Sequence, residues 1–132
     1  MNMNSTAWAA GLYEGEGTIT GQWCHNYNKF YPKLSIKMTD KDVIQRFADW
    51  AGDGNISVEK KYADHHKDAW RWTTSKGETV RRLLSLMLPY FGERRAYKAL
   101  NILDFYELDE RNPNRSQEER LGGIRKLGNQ HK

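Results

Sequence analysis

The chain has 132 residues, of which 38% are hydrophobic and 12% aromatic, and it contains a single cysteine, Cys24. This length and apolar content predict one globular domain that folds without disulfide bonds or a structural metal. No apolar run has the length of a membrane span, and the N-terminus lacks the features of a secretory signal. We therefore expect an intracellular protein with no membrane partner.

The net charge of +4 is weak evidence for nucleic-acid binding, because it comes from one end of the chain. Six of the 21 Lys and Arg residues, but only two of the 17 Asp and Glu residues, lie in residues 111–132, which leaves 15 of each sign in residues 1–110. A DNA-binding surface on the core would require segregation of charges onto one face. We expect a domain at residues 1–111 and a basic tail at residues 112–132 that is disordered unless bound.

The first quarter of the chain predicts one helix followed by two strands. The helix is expected from about Ser5 to Glu14, and Gly15 and Gly17 are expected to end it. Strands are expected at about Thr18–His25 and Tyr31–Met38, the second of which alternates apolar and polar residues. This alternation is typical of a half-buried strand.

The same pattern of helix and two strands then recurs. A helix is expected at Asp40–Ala51, begun by a capping box of Thr39 and Asp42, and strands are expected at Asn55–Lys61 and Ala69–Thr74. The predicted order, completed by two further helices, is αββαββαα, which is an α+β class.

The last two helices carry different signals. A capping box of Ser75 and Glu78 begins the third helix, and Pro89 and Gly92 are expected to end or bend it. Its predicted core stripe consists of Val80, Leu83, Leu84 and Met87. The final helix is expected from Glu93 to about Glu110, with apolar residues near helical spacing at Ala96, Leu100, Leu103 and Phe105 or Tyr106.

The segment AAGLYEGEG, residues 9–17, ends the first helix immediately before a strand and resembles the LAGLIDADG motif of homing endonucleases. The motif positions that match are Ala10, Gly11, Leu12 and Gly17. Glu14 and Glu16 replace two aspartates, whereas Ala9 and Tyr13 depart from the pattern. The resemblance extends through the element order to about residue 107, which covers the core and leaves the tail outside it.

This resemblance implies an activity as well as a fold. It implies an αββαββα core with a curved antiparallel four-stranded DNA-binding sheet, extended here by a C-terminal helix and tail. The implied protein is a homing endonuclease that makes a staggered double-strand break in a long, near-palindromic DNA site. Because only one motif occurs, we expect a homodimer in which Glu16 of each subunit binds Mg²⁺, or Mn²⁺ in its place. No small-molecule substrate is expected.

The spacing of small residues supports the dimer without reference to the family. Ala7, Gly11 and Gly15 recur at intervals of four, which gives the first helix one stripe with almost no side chains. A second backbone can approach closely along such a stripe, so we predict a dimer interface there. Two-fold symmetry would then bring both copies of Glu16 to one point. Glu14, in contrast, is expected to cap or pair locally.

Alternation assigns the outward residues of the predicted sheet, which in this family read DNA base edges. The candidate DNA-binding residues are Thr18, Thr20, Gln22, Tyr31, Lys33, Ser35, Lys37, Ser57, Glu59, Lys61, Arg71 and Thr73. The strand regions contain seven basic residues but only two acidic ones, so the charges of the neutral core are unevenly distributed along the chain. Ordinary solubilising residues on an exposed sheet are the alternative interpretation.

Three further residues are candidates for the active site. The resemblance implies a basic residue after the third helix that stabilises phosphate charge, and both Arg94 and Arg95 fit that place. Asp40 occupies a position where the family often has a polar residue that orders water. Ordinary roles at the start of a helix remain alternatives for all three.

Other functional classes compete with the endonuclease. A non-cleaving transcription regulator or an RNA-splicing maturase would use the same surface for binding alone, and a structural self-interacting protein would need only the helix interface. Zinc or HNH-type chemistry is disfavoured, because the four histidines have no metal-ligand spacing. These histidines are His25, His65, His66 and His131.

Overall fold

The computed structural model describes residues 3–24, 29–60 and 67–111. The elements are α1 (Met3–Glu16), β1 (Gly17–Cys24), β2 (Lys29–Met38), α2 (Lys41–Ala51), β3 (Asn55–Glu59), β4 (Ala69–Thr74), α3 (Gly77–Met87), a 3-10 turn (Leu88–Tyr90) and α4 (Glu93–Arg111). This order confirms the predicted α+β class. The predicted tail at residues 112–132 lies outside the described residues, as do Lys61 and the four histidines.

The four strands form one antiparallel sheet in the order β1-β2-β4-β3. The residues that face the helices include Ile19, Leu34, Ile36 and Trp72, all at most 1% exposed. The predicted stripe of α3 is confirmed, because Val80, Leu83, Leu84 and Met87 are fully buried. Packing of the helices against one face therefore leaves the other sheet face available for function. No helix in the described ranges is long and apolar enough to cross a membrane.

Tyr13 fastens α1 to the sheet. Its side chain is fully buried, and its hydroxyl donates to the Thr18 carbonyl while accepting from the Ser35 amide at 3.1 Å. Burial, the largest influence, raises the pKa of this phenol, so it stays protonated at neutral pH. A Cβ on Gly17 would overlap the Tyr13 ring, which explains why the helix-to-strand junction requires glycine.

Both predicted capping boxes are wrong. The residue that caps α2 is Asp40 and the one that caps α3 is Lys76, and neither makes a side-chain capping hydrogen bond. At α3, the hydroxyl of Thr74 instead accepts a hydrogen bond from the Lys76 amide at 3.3 Å. The end of α2 is as predicted, because Gly52 adopts a left-handed conformation with φ of 74°.

The predicted ends and faces of two other helices need correction. Gly15 does not end α1, which continues to Glu16; the helix ends immediately before Gly17, the second glycine of the prediction, where β1 begins. On α4, Leu100 is 45% exposed, whereas Ala99, Ile102 and Phe105 are buried. The cause is a tertiary contact, because Arg95 bonds α4 to the end of α1. Ala99 and Ile102 follow Arg95 by four and seven residues, so they lie on the same side of the helix and face inward.

Candidate active site and nucleic-acid interface

Glu16 is the last residue of α1 and is exposed, immediately before β1. Gly17 pairs with Ile36 in the antiparallel register, and β2 ends at Met38. The start of β1 and the end of β2 therefore share one end of the sheet. Asp40, which is also exposed, follows β2 at this same end, so the fold brings Glu16 and Asp40 to one side of the molecule.

Arg95 is the best-anchored cation near this end. Its Nε donates to Glu14 Oε2 at 2.9 Å, its Nη1 to the Gly17 carbonyl at 2.7 Å and its Nη2 to the Glu14 carbonyl at 2.9 Å. The other carboxylate oxygen of Glu14 accepts the Gly92 amide at 2.9 Å. The side chain of Arg95 is only 13% exposed. Glu14 and Arg95 thus form a latch that holds α4 against the end of α1.

Arg94 is the neighbouring residue and lies in a different environment. It is exposed and lines a cavity of about 170 Å³ beside β1, together with Gly17, Thr18, Ile19, Arg95 and Lys98. Burial lowers the pKa of Lys98, and the charges of Arg94 and Arg95 lower it further. The cavity is therefore lined by three cationic side chains and includes Gly17, the residue that follows Glu16.

The prediction from sequence included Arg94 and Arg95 but missed Lys98. The available signal was its spacing of four from Arg94, which places both on one side of a helix. That signal is weak by itself, because charged residues at this spacing are common on solvated helix faces. Only the position of β1 against α4 makes the pair part of a cavity.

The donor atoms suit a hard divalent cation but one chain supplies few of them. The exposed carboxylate of Glu16 offers the oxygen ligand that Mg²⁺ prefers. Within residues 3–24, 29–60 and 67–111, no group of three or more His, Cys, Asp or Glu side chains is positioned to hold a metal. A complete site at Glu16 therefore fits the residues only if further ligands come from a second chain or from the substrate.

The two sides of α1 differ in what they contact. Thr6, Ala9, Ala10 and Tyr13 are buried, whereas Ala7, Gly11 and Gly15 are exposed. A Cβ placed on Gly11 or Gly15 would meet no atom within 4 Å, apart from the backbone of its own helix. Within the described part of the chain, no tertiary contact therefore requires glycine at either position.

The outer face of the sheet is polar along its whole width. The residues that the structure places on it, exposed or half-buried, are Thr18, Thr20, Tyr31, Lys33, Ser35, Lys37, Asn55, Ser57, Glu59, Arg71 and Thr73. The strand register aligns Thr18 with Ser35 and Ser35 with Thr73, so these side chains form rows across the sheet. The side chain of Gln22 lies outside the described residues.

The charges on this face are partly paired. Glu59 forms ion pairs with the Lys37 ammonium and, at 3.0 Å, with Arg71 Nη2. The hydrogen bond from Lys37 is the main cause of a lowered pKa at Glu59, and the charges of Lys37 and Arg71 add to it. The cationic face predicted from sequence therefore has an ionised carboxylate between two of its cations.

Comparison with known proteins gives matches among solved structures alone. Neither a protein-family model nor a curated protein matches the sequence. The homing endonuclease I-CvuI, solved with its target and Ca²⁺, has 18% identity and a TM-score of 0.75 over 98% of this chain and 85% of that chain. An archaeal intron-encoded homing endonuclease, I-Vdi141I, solved with DNA, has 13% identity and a TM-score of 0.75 over the same shares of the two chains.

A third structure carries the family name that the motif resembles. The LAGLIDADG homing endonuclease I-GzeII, solved with its DNA target, has 18% identity and a TM-score of 0.71 over 96% of this chain and 43% of that chain. The chain thus spans under half of this relative but most of I-CvuI. At such low identities the likeness establishes the fold, and the chain has the fold of LAGLIDADG homing endonucleases.

Proposed function

We propose that this protein is a homodimeric, sequence-specific DNA endonuclease that makes a staggered double-strand break in a long, near-palindromic site. The observation that carries the proposal is the exposed carboxylate of Glu16 at the end of α1, beside a polar sheet face. The structures of I-CvuI, I-Vdi141I and I-GzeII, which have the same fold, were solved with DNA. A fold alone does not specify function, so the proposal depends on these side chains.

The exposed stripe on α1 supports the dimer. A glycine inside a helix costs roughly 0.5–1 kcal/mol relative to alanine, and neither Gly11 nor Gly15 relieves a clash within the described chain. Close approach of a second α1 would explain both glycines. Two-fold pairing along Ala7, Gly11 and Gly15 would bring two copies of Glu16 together, an arrangement that is costly unless a cation lies between them.

Divalent metal binding follows from that arrangement. Glu16 of each subunit would hold Mg²⁺ or Mn²⁺, and the bound ion would activate a water and neutralise charge on the scissile phosphate. Arg94 would attract the same phosphate from the cavity beside β1, with Lys98 adding to the potential. Asp40 has an exposed carboxylate that makes no capping bond, so it is able to accept a hydrogen bond from an ordered water.

Arg95 has a positioning role in this proposal. Its three guanidinium nitrogens are already bonded to Glu14 and Gly17, which leaves Arg94 as the better candidate for contact with phosphate. By fixing the end of α1 against α4, Arg95 holds the segment that carries Glu16. Catalytic groups require such support, because small displacements are costly in rate.

The outer sheet face would lie in the major groove of the target. Its hydroxyl, amide, ammonium and guanidinium groups are the types that read base edges there. Among the described residues of this face, Lys33, Lys37 and Arg71 outnumber the single carboxylate of Glu59, which supports the proposal although the core is neutral overall. The residues proposed to contact DNA are Thr18, Thr20, Gln22, Tyr31, Lys33, Ser35, Lys37, Ser57, Glu59, Lys61, Arg71 and Thr73.

A plasmid library that carries randomised, near-palindromic duplexes tests this function. The purified protein is incubated with the library in Mg²⁺, in Mn²⁺ and in EDTA, and linearised plasmids are sequenced at their ends. We expect metal-dependent linearisation at related sequences with a constant stagger. Enrichment of bound duplexes without any cut in either metal would instead favour the non-cleaving regulator. Failure to bind DNA, with tight binding of structured RNA, would favour the maturase.

A further inference from the structure

We infer that Glu59 is a specificity-determining residue of the sheet, which withholds Lys37 and Arg71 from DNA phosphates and leaves them available for base edges. This inference rests on the proposed function, because it assumes that the outer sheet face binds duplex DNA. It assigns to a carboxylate on that face a role that is distinct from a direct base contact.

The strand register explains why one carboxylate reaches two cations. Lys37 of β2 and Arg71 of β4 are direct cross-strand partners, and Glu59 of β3 is opposite Ala69. Because the side chain of Ala69 is a single methyl group, it leaves room for Glu59 to extend diagonally. Glu59 Oε1 then meets Arg71 Nη2 at 3.0 Å, and Oε2 meets the Lys37 ammonium. Each oxygen thus pairs with one cation.

This cluster of Lys37, Glu59 and Arg71 has little reason to exist for stability alone. The side chains are 45%, 48% and 35% exposed, respectively, and ion pairs at such exposure contribute little to folding. In addition, Arg71 Nε is buried and has no hydrogen-bond acceptor among the described residues. The free protein therefore holds this guanidinium in an incompletely bonded state, which an additional acceptor from a ligand would improve if Arg71 reoriented.

The electrostatic consequence depends on which part of DNA approaches. A phosphate carries a full negative charge and would be repelled by Glu59 as well as attracted by the two cations. The O6 and N7 acceptors of guanine are neutral, so Arg71 can donate to them without the same repulsion. Since phosphate contacts carry no sequence information, weakening them raises the ratio of specific to non-specific binding.

Two variants separate the charge of Glu59 from its reach. Glu59→Gln removes the charge, and Glu59→Asp keeps the charge on a shorter side chain that cannot extend across Ala69 to both cations. Glu78→Gln, at an exposed position in the first turn of α3, is the matched control, because it changes the net charge by the same amount away from the sheet. Circular dichroism checks that all variants fold.

The measurement is the dissociation constant for random duplex DNA and for the duplex that the wild type enriches, each as a function of salt. We expect Glu59→Gln to bind random DNA roughly tenfold more tightly at low salt, with a log–log salt slope steeper by about 1 per subunit. The specific-to-random ratio should fall by roughly tenfold, as for loss of one base-pair preference. Glu59→Asp should shift in the same direction, and Glu78→Gln should not.

The outcomes that would overturn the inference are distinct from failure of the proposed function. Equal slopes and ratios for Glu59→Gln and Glu78→Gln would overturn it, as would a Glu59→Asp variant indistinguishable from wild type. Both results require only DNA binding, so they are informative even if the protein never cuts. A wild type that binds no duplex DNA would overturn the proposed function and the inference together.

Discussion

The inner and outer sides of α1 contrast in how far the fold explains their residues. On the inner side, Tyr13 is buried and bonded to two strands, and Gly17 at the start of β1 has no Cβ that would overlap the Tyr13 ring. On the outer side, Gly11 and Gly15 contact nothing that would exclude a side chain. Residues that the fold requires thus lie on one side of α1 and at its junction with β1, whereas the glycines that it does not require lie on the other side and are the candidates for assembly.

The inner side should show the largest effect on stability. Tyr13→Ala removes a fully buried ring and should lower the free energy of unfolding by about 3–5 kcal/mol. Tyr13→Phe, which removes only the hydroxyl shared by Thr18 and Ser35, should cost about 1–3 kcal/mol. Urea denaturation measures both. Equal stability of Tyr13→Phe and wild type would show that the hydroxyl bridge does not fasten α1 to the sheet.

The adjacent arginines sharpen the contrast at the end of α1. Arg95→Ala should lower the free energy of unfolding by about 2–3 kcal/mol, because it leaves Glu14 and two carbonyl groups without their charged donor. Arg94→Ala should change stability by less than about 0.5 kcal/mol, as for other surface substitutions, while reducing cleavage. Parallel denaturation and cleavage assays test this. Similar destabilisation by the two substitutions would contradict the assignment of a structural role to Arg95 and of a phosphate-binding role to Arg94.

The outer side should affect assembly more than folding. Gly11→Leu should convert a dimer into a folded monomer, because the added side chain has space within the chain but would separate two paired helices. Light scattering and circular dichroism measure the two properties. Ser85→Leu, which adds the same side chain to the exposed side of α3, should remain dimeric. A wild type that is already monomeric would contradict the interface.

The sequence predicted whatever depends on local periodicity. The αββαββαα order, the buried stripe of α3 and the alternation of strand faces all follow from spacings within a few residues. The predicted capping boxes were wrong because a Ser or Thr three residues before an acidic residue does not by itself determine where a helix begins. At the start of α3, the Lys76 amide donates to the Thr74 hydroxyl instead.

Contacts between segments that are distant in the sequence could not be predicted from such local patterns. The latch joins Glu14 to a residue 81 positions away, and its existence depends on how α4 meets α1. Likewise, the pairing of Glu59 with Lys37 and Arg71 depends on the registers of three strands and on the small side chain of Ala69. Alternation assigned all three residues to one face but contained no information about which of them touch.

Glu16→Gln tests the catalytic role of the outer side most directly. The substitution preserves size and polarity but removes the charge proposed to hold the metal, whereas the sheet residues proposed to bind DNA are unchanged. Gel-shift and cleavage assays are performed on one target duplex with wild type, Glu16→Gln and the control Glu78→Gln. We expect Glu16→Gln to bind as tightly as wild type and to cut neither strand, while the control binds and cuts normally. Cleavage by Glu16→Gln at the wild-type rate would contradict the assignment of this carboxylate as the catalytic metal ligand.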